Sequence, residues 1–326
     1  MVGWYYMKKA FSLFISLFLL INHTTIFSQA LNKDGDLILA QNSYVNIYVS
    51  PSGSDDNDGS FNHPFKTISK AKRFAASLND GTYDINVYLR GGTYFLDETI
   101  TFTAQDGGKG GKTIRYLAYH NEKPIISGGK RITGWSLHDS EKNIYKAENV
   151  NFNFRQLYIN DTKALRALQV PSNNKYSQRI IKAYREETTV DGYTYPAKSI
   201  TMDKSLTSNW NNLQDVEIKV LTAWTENIMR ISSITTIGNR SVILVQEPEA
   251  TRVFNRPHPD INGYSHENTT AFVFYFENAY EFIDEDNEWY LDRKTNTLYF
   301  KAPMGFDMNS ADVIAPKVET LISIEG

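Results

Sequence analysis

The sequence predicts an all-β protein whose first part is a stacked parallel β-coil. Short strands of alternating apolar residues recur between residues 84 and 128, and no long helix separates them, which argues against a doubly wound α/β sheet. The turns between these strands bend the chain but seldom reverse it, as successive coils require. Tyr and Phe are abundant, at 20 and 18 residues, as is common in strand-rich folds.

The composition is that of a globular protein, with 41% hydrophobic and 22% charged residues in a chain of 326. The formal net charge of -3, without a long basic run, argues against a nucleic-acid partner. The chain contains no cysteine. Disulfides, thiolate zinc sites, cysteine nucleophiles and the lipid-attachment cysteine of a bacterial lipoprotein are therefore excluded.

Residues 1–30 are predicted to be a signal peptide that directs export to the periplasm or the extracellular space. A basic pair after Met7 precedes an apolar stretch from Ala10 to Ile21, and Ser28-Gln29-Ala30 has the form of a cleavage site. The apolar stretch is shorter than the roughly 20 residues of a membrane-spanning helix, which disfavours a permanent anchor. The residues before Met7 fit no part of a signal, so the start could be Met1 or Met7.

Residues 31–129 are predicted to form an N-terminal cap and the first coils. The strand YVNIYVS, residues 44–50, alternates as a half-buried strand does. A helix is predicted from Pro64 to Leu78, because Pro suits a first helical turn and apolar residues follow at helical spacing. This helix would cover the open end of the coil.

The acidic loop SGSDDNDGS, residues 52–60, connects that strand to the helix. A calcium loop would need a glycine at its sixth position and a bidentate Glu at its twelfth. With Gly59 at the sixth position, the twelfth is Phe65, which cannot bind a metal ion. A turn is favoured, because Asp58-Gly59 and the neighbouring Ser, Asp and Asn residues tolerate left-handed backbone.

Residues 130–310 are predicted to be a β-rich module inserted into the coil. Antiparallel hairpins are expected around the turns at Asn160-Asp161 and at Lys294-Thr295-Asn296. Residues 311–326 again have the pattern of a coil strand, so the β-helix is expected to resume there. Because a coil that ends in one bare apolar strand invites aggregation, we expect the chain to end inside the coil of a longer protein.

These segments together resemble a known family. The stretches IYVSPSGSDDNDGSFNHPFKTISKA, LRGGTYFLDETITFT, ISGGKRITGW, FRQLYIN and FENAYEFIDEDNEWYLDRKTNTLYF are similar to the N-terminal half of secreted bacterial right-handed parallel β-helix proteins. Among these, glycoside hydrolase family 141 has α-fucosidase and xylanase activities. The resemblance covers residues 44–326 and implies a pectin lyase-like right-handed parallel β-helix. It also implies catalytic carboxylates on later coils, so the catalytic residues are unknown and none is assigned within this chain.

Acidic pairs inside the chain are weak candidates for catalysis. A glycosidase needs two carboxylates that flank the bond, about 5 Å or roughly 6.5–9.5 Å apart. The neighbouring acids here lie in turn-like stretches, where solvated loops are the simpler explanation. They are Asp55/Asp58, Glu186/Glu187, Asp284/Glu285/Asp286 and Glu288/Asp292.

Histidines do not predict a metal site. His258 and His266 lie in a proline-rich segment with Asp260 and Glu267, but their spacing does not place two ligands on one element. We therefore predict no bound metal and no cofactor.

The segment LTAWTENIMR contains the candidate substrate-binding residues, Trp224 and Glu226. On a strand these two residues share a face. The Trp ring could then stack on the C–H face of a sugar while the carboxylate accepts a sugar hydroxyl. The alternative is that Trp224 packs in the core of the module.

The sequence therefore predicts the N-terminal portion of an exported carbohydrate-active enzyme, a glycoside hydrolase acting on plant or algal polysaccharide. The expected partner is a polysaccharide or oligosaccharide, bound by a monomer with no nucleic acid and no membrane association after signal removal. This step from fold to function is analogy, and two alternatives stay open. One is a non-catalytic carbohydrate-binding or adhesive protein. The other is a polysaccharide lyase, which would need a basic residue as base and often calcium.

Overall fold

A computed structural model describes residues 29–31, 37–39, 44–169, 182–222, 224–256, 261 and 273–326. Within these ranges the regular structure is mainly strand, with two α-helices, α1 (Ile68–Leu78) and α2 (Glu249–Phe254). The prediction of an all-β protein is confirmed. In chain order the strands are β1 (Gln29–Leu31), β2 (Leu37–Leu39), β3 (Tyr44–Val49), β4 (Asp84–Leu89), β5 (Gly92–Phe95), β6 (Ile100–Thr103), β7 (Ile114–Ala118), β8 (Pro124–Ser127), β9 (Gly129–Arg131), β10 (Ser136–Asp139), β11 (Ile144–Ala147), β12 (Leu157–Ile159), β13 (Thr162–Arg166), β14 (Lys182–Tyr184), β15 (Thr188–Val190), β16 (Tyr193–Tyr195), β17 (Ser199–Asp203), β18 (Glu217–Leu221), β19 (Glu226–Ile237), β20 (Arg240–Val245), β21 (Val273–Glu277), β22 (Glu288–Asp292), β23 (Thr297–Lys301), β24 (Val313–Pro316) and β25 (Ile322–Glu325).

The described residues divide into two compact units. The first unit draws on the described residues up to Tyr94 and on Thr99–Ser127 and Leu321–Gly326, and the second on Phe95–Glu98 and the described residues between Gly128 and Thr320. The chain thus leaves the first unit after β8 and returns to it with β25.

The first unit contains small sheets with parallel pairing. Strands β3, β4 and β7 pair in parallel, with Ile47 opposite Val87 and Val87 opposite Tyr116. Strand β25 pairs in parallel with β6, and β5 lies beside β8. Alternate residues of β3 and β4, such as Ile47 and Val87, are buried, so one face of each strand points inward.

Helix α1 begins at Ile68, so the predicted start at Pro64 is wrong. The side chain of Thr67 accepts a hydrogen bond from the backbone N–H of Lys70 and caps the helix. Phe65 instead forms a parallel β-bridge with Val49, which keeps the backbone just before the helix extended. The helix buries its apolar face and packs against β3 and β4.

The acidic loop is a turn, as predicted. The carboxylate of Asp55 accepts hydrogen bonds from the backbone N–H groups of Lys66 and Thr67, at 2.9 Å and 2.8 Å, and from the Thr67 hydroxyl at 2.7 Å. Asp58 accepts one from the Ser60 N–H at 2.9 Å. These contacts bind the loop to the start of α1.

The second unit contains two larger sheets and the antiparallel hairpin β15–β16. The eight-stranded sheet has the order β10-β11-β23-β22-β13-β12-β24-β9, and the six-stranded sheet has the order β14-β17-β20-β19-β18-β21. Both predicted hairpin turns are confirmed, because Asn160-Asp161 joins β12 to β13 and residues 294–296 lie between β22 and β23. Asn160, Asp161 and Asn296 have positive φ, which Asn and Asp tolerate better than other side chains.

Some sequence predictions fall beyond these residues. The predicted signal peptide lies outside the described residues except for Gln29 and Ala30, and so do His258, Asp260, His266 and Glu267. Over the described ranges, no helix has the length and apolar character needed to cross a membrane.

Candidate functional site

The two predicted substrate-binding residues lie at one end of the hairpin formed by β18 and β19. Glu226 is the first residue of β19, but Trp224 lies in the connection between the strands. The expectation that both lie on a strand is therefore wrong for Trp224, because β18 ends at Leu221 and β19 begins at Glu226. Their proximity comes from the turn and not from strand periodicity.

Hydrogen bonds brace this connection. The Thr222 N–H and hydroxyl both donate to the Thr225 carbonyl oxygen at 2.9 Å, and the two hydroxyls are 2.8 Å apart. The side chains of Asn227 and Arg256 add bonds to the Thr222 and Thr225 hydroxyls, at 3.2 Å each. The turn that carries the Trp is therefore held before any ligand arrives, which lowers the entropy lost on binding.

Trp224 is 72% exposed. The alternative that it packs in the core of the module is therefore wrong. A large aromatic ring that stays exposed to water forgoes the favourable free energy that its burial would provide. The ring is therefore accessible to a ligand.

Beside this turn, the sheet carries a face of charged and hydroxyl side chains. Glu217 and Lys219 alternate along β18 with Ile218 and Val220, which are buried in the core. On β21, Glu277 lies opposite Glu217, and Tyr275 lies opposite Lys219. Glu226, on β19, lies opposite Leu221 of β18, which is two residues after Lys219, so Glu226 lies on the same face as Lys219.

Lys219 joins the carboxylates of this face. Its Nζ lies 3.1 Å from Glu226 Oε1 and 2.9 Å from Glu277 Oε1. The Tyr275 hydroxyl donates to Glu226 Oε1 at 3.0 Å. Both contacts of Glu226 use Oε1, so a ligand hydroxyl that approached Oε2 would not compete with them.

These contacts fix the charges at neutral pH. Burial acts to raise the pKa of Glu226, but the contacts with Lys219 and Tyr275 outweigh it and lower that pKa. Burial acts to lower the pKa of Lys219, but Glu277 and Glu226 raise it. Burial is the main cause that raises the pKa of Tyr275 to about 12. The face therefore presents an ionised carboxylate, an ammonium and a neutral phenol.

The inner end of the face is an ion cluster. Arg155 and Arg166 reach Glu217 at 2.5 Å and 2.6 Å, and the Glu217 and Arg166 side chains are 5% and 8% exposed. Burial opposes ionisation of Glu217, but Arg166 and then Arg155 outweigh it and lower its pKa. Two atoms, Glu277 Oε2 and Arg166 Nε, are buried without a hydrogen-bond partner among the described residues. They remain within a charged cluster, since Arg166 lies 3.6 Å from Glu277 Oε2.

This arrangement suits binding better than glycosidic bond cleavage. A general acid needs a raised pKa, whereas the pKa of Glu226 is lowered. The side chain of Glu277 is 7% exposed, and the Lys219 ammonium contacts both carboxylates. Glu226 and Glu277 therefore do not form an open pair that could flank a sugar bond.

The acidic pairs considered from sequence have structural contacts. Asp55 and Asp58 fix the acidic turn. Glu288 is buried and accepts the N–H groups of Asp284 and Glu285, and burial raises its pKa. Asp292 accepts the Lys294 N–H at 2.9 Å within its hairpin. For Glu186 and Glu187, the described residues show no side-chain contact that would indicate a catalytic role.

The described part of the chain contains no group of three or more His, Asp or Glu residues able to hold a metal ion. The histidine segment around His258 and His266 lies outside it.

Sequence reasoning missed Lys219, Tyr275, Glu277 and the two arginines. A signal for part of the cluster was present in EIKVL, residues 217–221, where two charged residues alternate with apolar ones in a strand pattern. Such alternation indicates a strand with one polar face. The arginines gave no comparable signal, because they lie 62 and 51 residues from Glu217 in sequence.

Comparisons with known proteins show what this chain is similar to. Residues 142–303 match the model of the GH141 insertion domain. The fold of the chain is similar to that of a solved glycoside hydrolase, with a TM-score of 0.73 and 26% sequence identity over 85% of this chain. The match covers 47% of that hydrolase, so this chain spans about half of its length.

Two curated proteins match shorter stretches. The uncharacterised protein YwoF of Bacillus subtilis is 40% identical over 82 residues, which is 25% of this chain and 15% of that protein. The pectate lyase PEL9 of Emericella nidulans is 36% identical over 84 residues, or 26% of this chain and 18% of the lyase. The sequence and the fold are thus similar to those of glycoside hydrolases, with a shorter similarity to a pectate lyase.

Proposed function

We propose that this chain is part of an exported glycoside hydrolase that acts on plant or algal polysaccharide. The observation that carries the proposal is the fold similarity to a glycoside hydrolase over 85% of the chain. The match of residues 142–303 to the GH141 insertion domain supports the same class. Because the match covers only 47% of that hydrolase, the catalytic carboxylates would lie on parts of the enzyme that this chain does not include.

In this proposal the first unit is the start of a right-handed parallel β-helix. Its support is the pairing of strands from successive passes of the chain, namely β3-β4-β7, β5-β8 and β6-β25. Helix α1 would cap one end. A cavity of about 600 Å³, which Ile68 of α1 also borders, is lined mainly by apolar side chains, including Ile100, Phe102 and Tyr116. Ile324 in its lining is 84% exposed, and a further coil stacked on β25 would cover it.

The second unit would contact the glycan. Trp224 would stack on a sugar ring, while Glu226, Lys219 and Tyr275 would exchange hydrogen bonds with its hydroxyls. This proposed contact is supported by the exposure of Trp224 on a braced turn beside a face of fixed charges. An aromatic platform next to a few convergent polar groups is the usual composition of a ligand site.

The test uses the protein encoded by the complete gene, recovered from the exported fraction of its host. It is incubated with a panel of neutral and acidic plant and algal polysaccharides. Release of reducing ends without ultraviolet absorbance from unsaturated uronates is expected for a hydrolase. Absorbance from unsaturated uronates would instead indicate a lyase. Binding without any product would indicate a non-catalytic carbohydrate-binding protein.

The glycan contact is tested by Trp224→Ala. Removing the platform should weaken binding to the best substrate about tenfold, as loss of a central aromatic anchor commonly does. The control is Tyr193→Ala in the same unit, because Tyr193 is 48% exposed but lies on the separate hairpin β15–β16. Equal affinities of the two variants would refute the assigned role of Trp224.

A further inference from the structure

The outer face of the parallel strands in the first unit carries an aromatic cluster that the proposed module site does not use. The parallel register places Asn46 opposite Asn86 and Tyr48 opposite Tyr88. Their strand neighbours Ile47 and Val87 are buried, so these four side chains point to the opposite, outer face.

Four rings form the cluster: Tyr48, Phe61, Tyr88 and Tyr119. Tyr48 and Tyr88 stack with centroids 5.6 Å apart and an interplanar angle of 23°. Phe61 and Tyr119 meet Tyr48 edge-on, at 5.3 Å and 5.7 Å. Phe61 is 45% exposed, and the three Tyr rings are half-buried. The cluster is therefore fixed by ring packing yet remains open to solvent on one side.

A guanidinium borders these rings. The Arg90 guanidinium carbon lies 5.0 Å from the Phe61 centroid and 4.9 Å from the Tyr119 centroid. Its Nε donates to both Glu122 oxygens, at 2.9 Å and 3.1 Å, so the planar group is held in one orientation. Next to the rings, Asn86 Nδ2 donates to Asn46 Oδ1 at 3.1 Å.

The charges of this face are compensated. Arg90 is paired with Glu122, and Arg115 lies 3.8 Å from Asp84. An acidic polymer would therefore meet arginines that already have carboxylate partners. A neutral polyhydroxyl ligand suits the surface better, because rings contact sugar C–H faces while phenols and amides exchange hydrogen bonds with hydroxyls.

We propose that this aromatic face, formed by Tyr48, Phe61, Tyr88, Tyr119 and Arg90, is a second carbohydrate-binding site that holds a neutral glycan chain. It relies on the proposed function only for the class of ligand. The site would anchor polymer to the first unit, separately from the contacts of Trp224 in the second.

The test is made on the full-length protein in the Trp224→Ala background, so that the module site contributes little. Binding is measured on an array of neutral and acidic plant and algal polysaccharides, followed by titration calorimetry with the best neutral binder. Phe61→Ala removes an exposed loop ring and should weaken that binding about tenfold. Tyr88→Phe keeps the ring and removes only the hydroxyl, so its change should be smaller, about threefold.

The matched control is Tyr83→Ala, because Tyr83 is 40% exposed in the same unit but precedes the first residue of β4, whereas Tyr88 lies near the end of that strand. Thermal unfolding of each variant checks that the fold is kept. The proposal is supported if Phe61→Ala weakens binding and Tyr83→Ala does not.

Four results would overturn it. The first is that no neutral glycan on the array binds, and the second is that Phe61→Ala binds as the parent does. The third is tighter binding of acidic than of neutral polymers to this face. The fourth is a self-association that Phe61→Ala abolishes without any effect on glycan binding, which would make the face a protein interface. Each could occur while the protein still hydrolyses polysaccharide, so the proposed function would stand independently.

Discussion

Replacing Glu217 with Gln tests whether the buried ion cluster stabilises the second unit. The Glu217 carboxylate lies between the guanidinium groups of Arg155 and Arg166, at 2.5 Å and 2.6 Å. Its side chain is only 5% exposed. The substitution keeps the shape of the residue but removes the charge that compensates both arginines.

The size of the effect follows from what each arginine loses. The Arg166 side chain is 8% exposed, and of the described carboxylates it would keep Glu277, at 3.6 Å. Removing one partner of a buried ion pair costs about 3–5 kcal/mol. Because Arg155 is 40% exposed and can be rehydrated, we expect the lower end, a loss of about 3 kcal/mol in the free energy of unfolding.

Urea unfolding followed by tryptophan fluorescence measures this loss. With a slope of about 2–3 kcal/mol per molar, the midpoint should fall by about 1–1.5 M. The control is Glu148→Gln, whose carboxylate pairs with Lys146 but is 61% exposed, so its unfolding midpoint should stay close to that of the parent. The double variant Arg166→Met/Glu217→Leu should regain stability, because no buried charge is left unpaired. If Glu217→Gln unfolds at the midpoint of the control, the cluster does not stabilise this unit.

Three further predictions concern local features. Gly59→Ala should cost at least about 2 kcal/mol of unfolding free energy, because the added Cβ would lie 2.4 Å from the Phe65 ring at a φ of +80°. Its control, Gly134→Ala, has a φ of +78° and no described atom within 4 Å, so it should cost about 1 kcal/mol. Equal thermal midpoints of the two variants would contradict this. Asp55→Ala should cost about 1–2 kcal/mol and Asp56→Ala almost nothing in urea unfolding. Burial acts to raise the pKa of Asp55, but hydrogen bonds from Thr67 and Lys66 outweigh it and lower that pKa. The stability that Asp55 contributes is therefore present above the pKa of the unfolded state and is lost as pH falls through the pKa of the folded state. A stability difference between the parent and Asp55→Ala that persists at the lowest pH would argue against this mechanism. Lys219→Met should raise the pKa of Glu226, as followed by carbon-13 NMR titration, and an unmoved pKa would show that the ion pair does not set it.

The parts of the fold that could be predicted from sequence are those determined by neighbouring residues. Alternation over six residues predicted the strand that became β3, and Asn160-Asp161 predicted a hairpin turn. The start of α1 was misplaced because Pro64 and Thr67 both suit a helix start. The choice was made by Phe65, which bridges to Val49 and holds the intervening backbone extended. The contact with Val49, a residue far from the helix in sequence, therefore decides where its first turn begins.

The candidate site was only partly predictable for the same reason. Trp224 and Glu226 were found because they are close in sequence, yet the strand periodicity used to relate them did not apply at a turn. Glu277 and Tyr275 lie opposite Glu217 and Lys219 only through strand pairing across more than fifty residues. Neither composition nor periodicity fixes that register, since it depends on which strands become neighbours.

The polar face of β18, β19 and β21 is buried at one end and partly exposed at the other, so substitutions at the two ends can distinguish a role in stability from a role in binding. At its inner end, Glu217 is buried between arginines, so changing it should destabilise the second unit. At its outer end, Glu226 is 42% exposed and borders the turn that carries Trp224. Glu226→Gln keeps the ability to accept hydrogen bonds at a solvated position and should leave the free energy of unfolding within about 0.5 kcal/mol of that of the parent. A ligand that uses the ionised carboxylate would nevertheless bind the variant less tightly. Weaker glycan binding at unchanged stability would therefore place the site at the outer end, whereas parallel losses of both would mean that the whole face is structural.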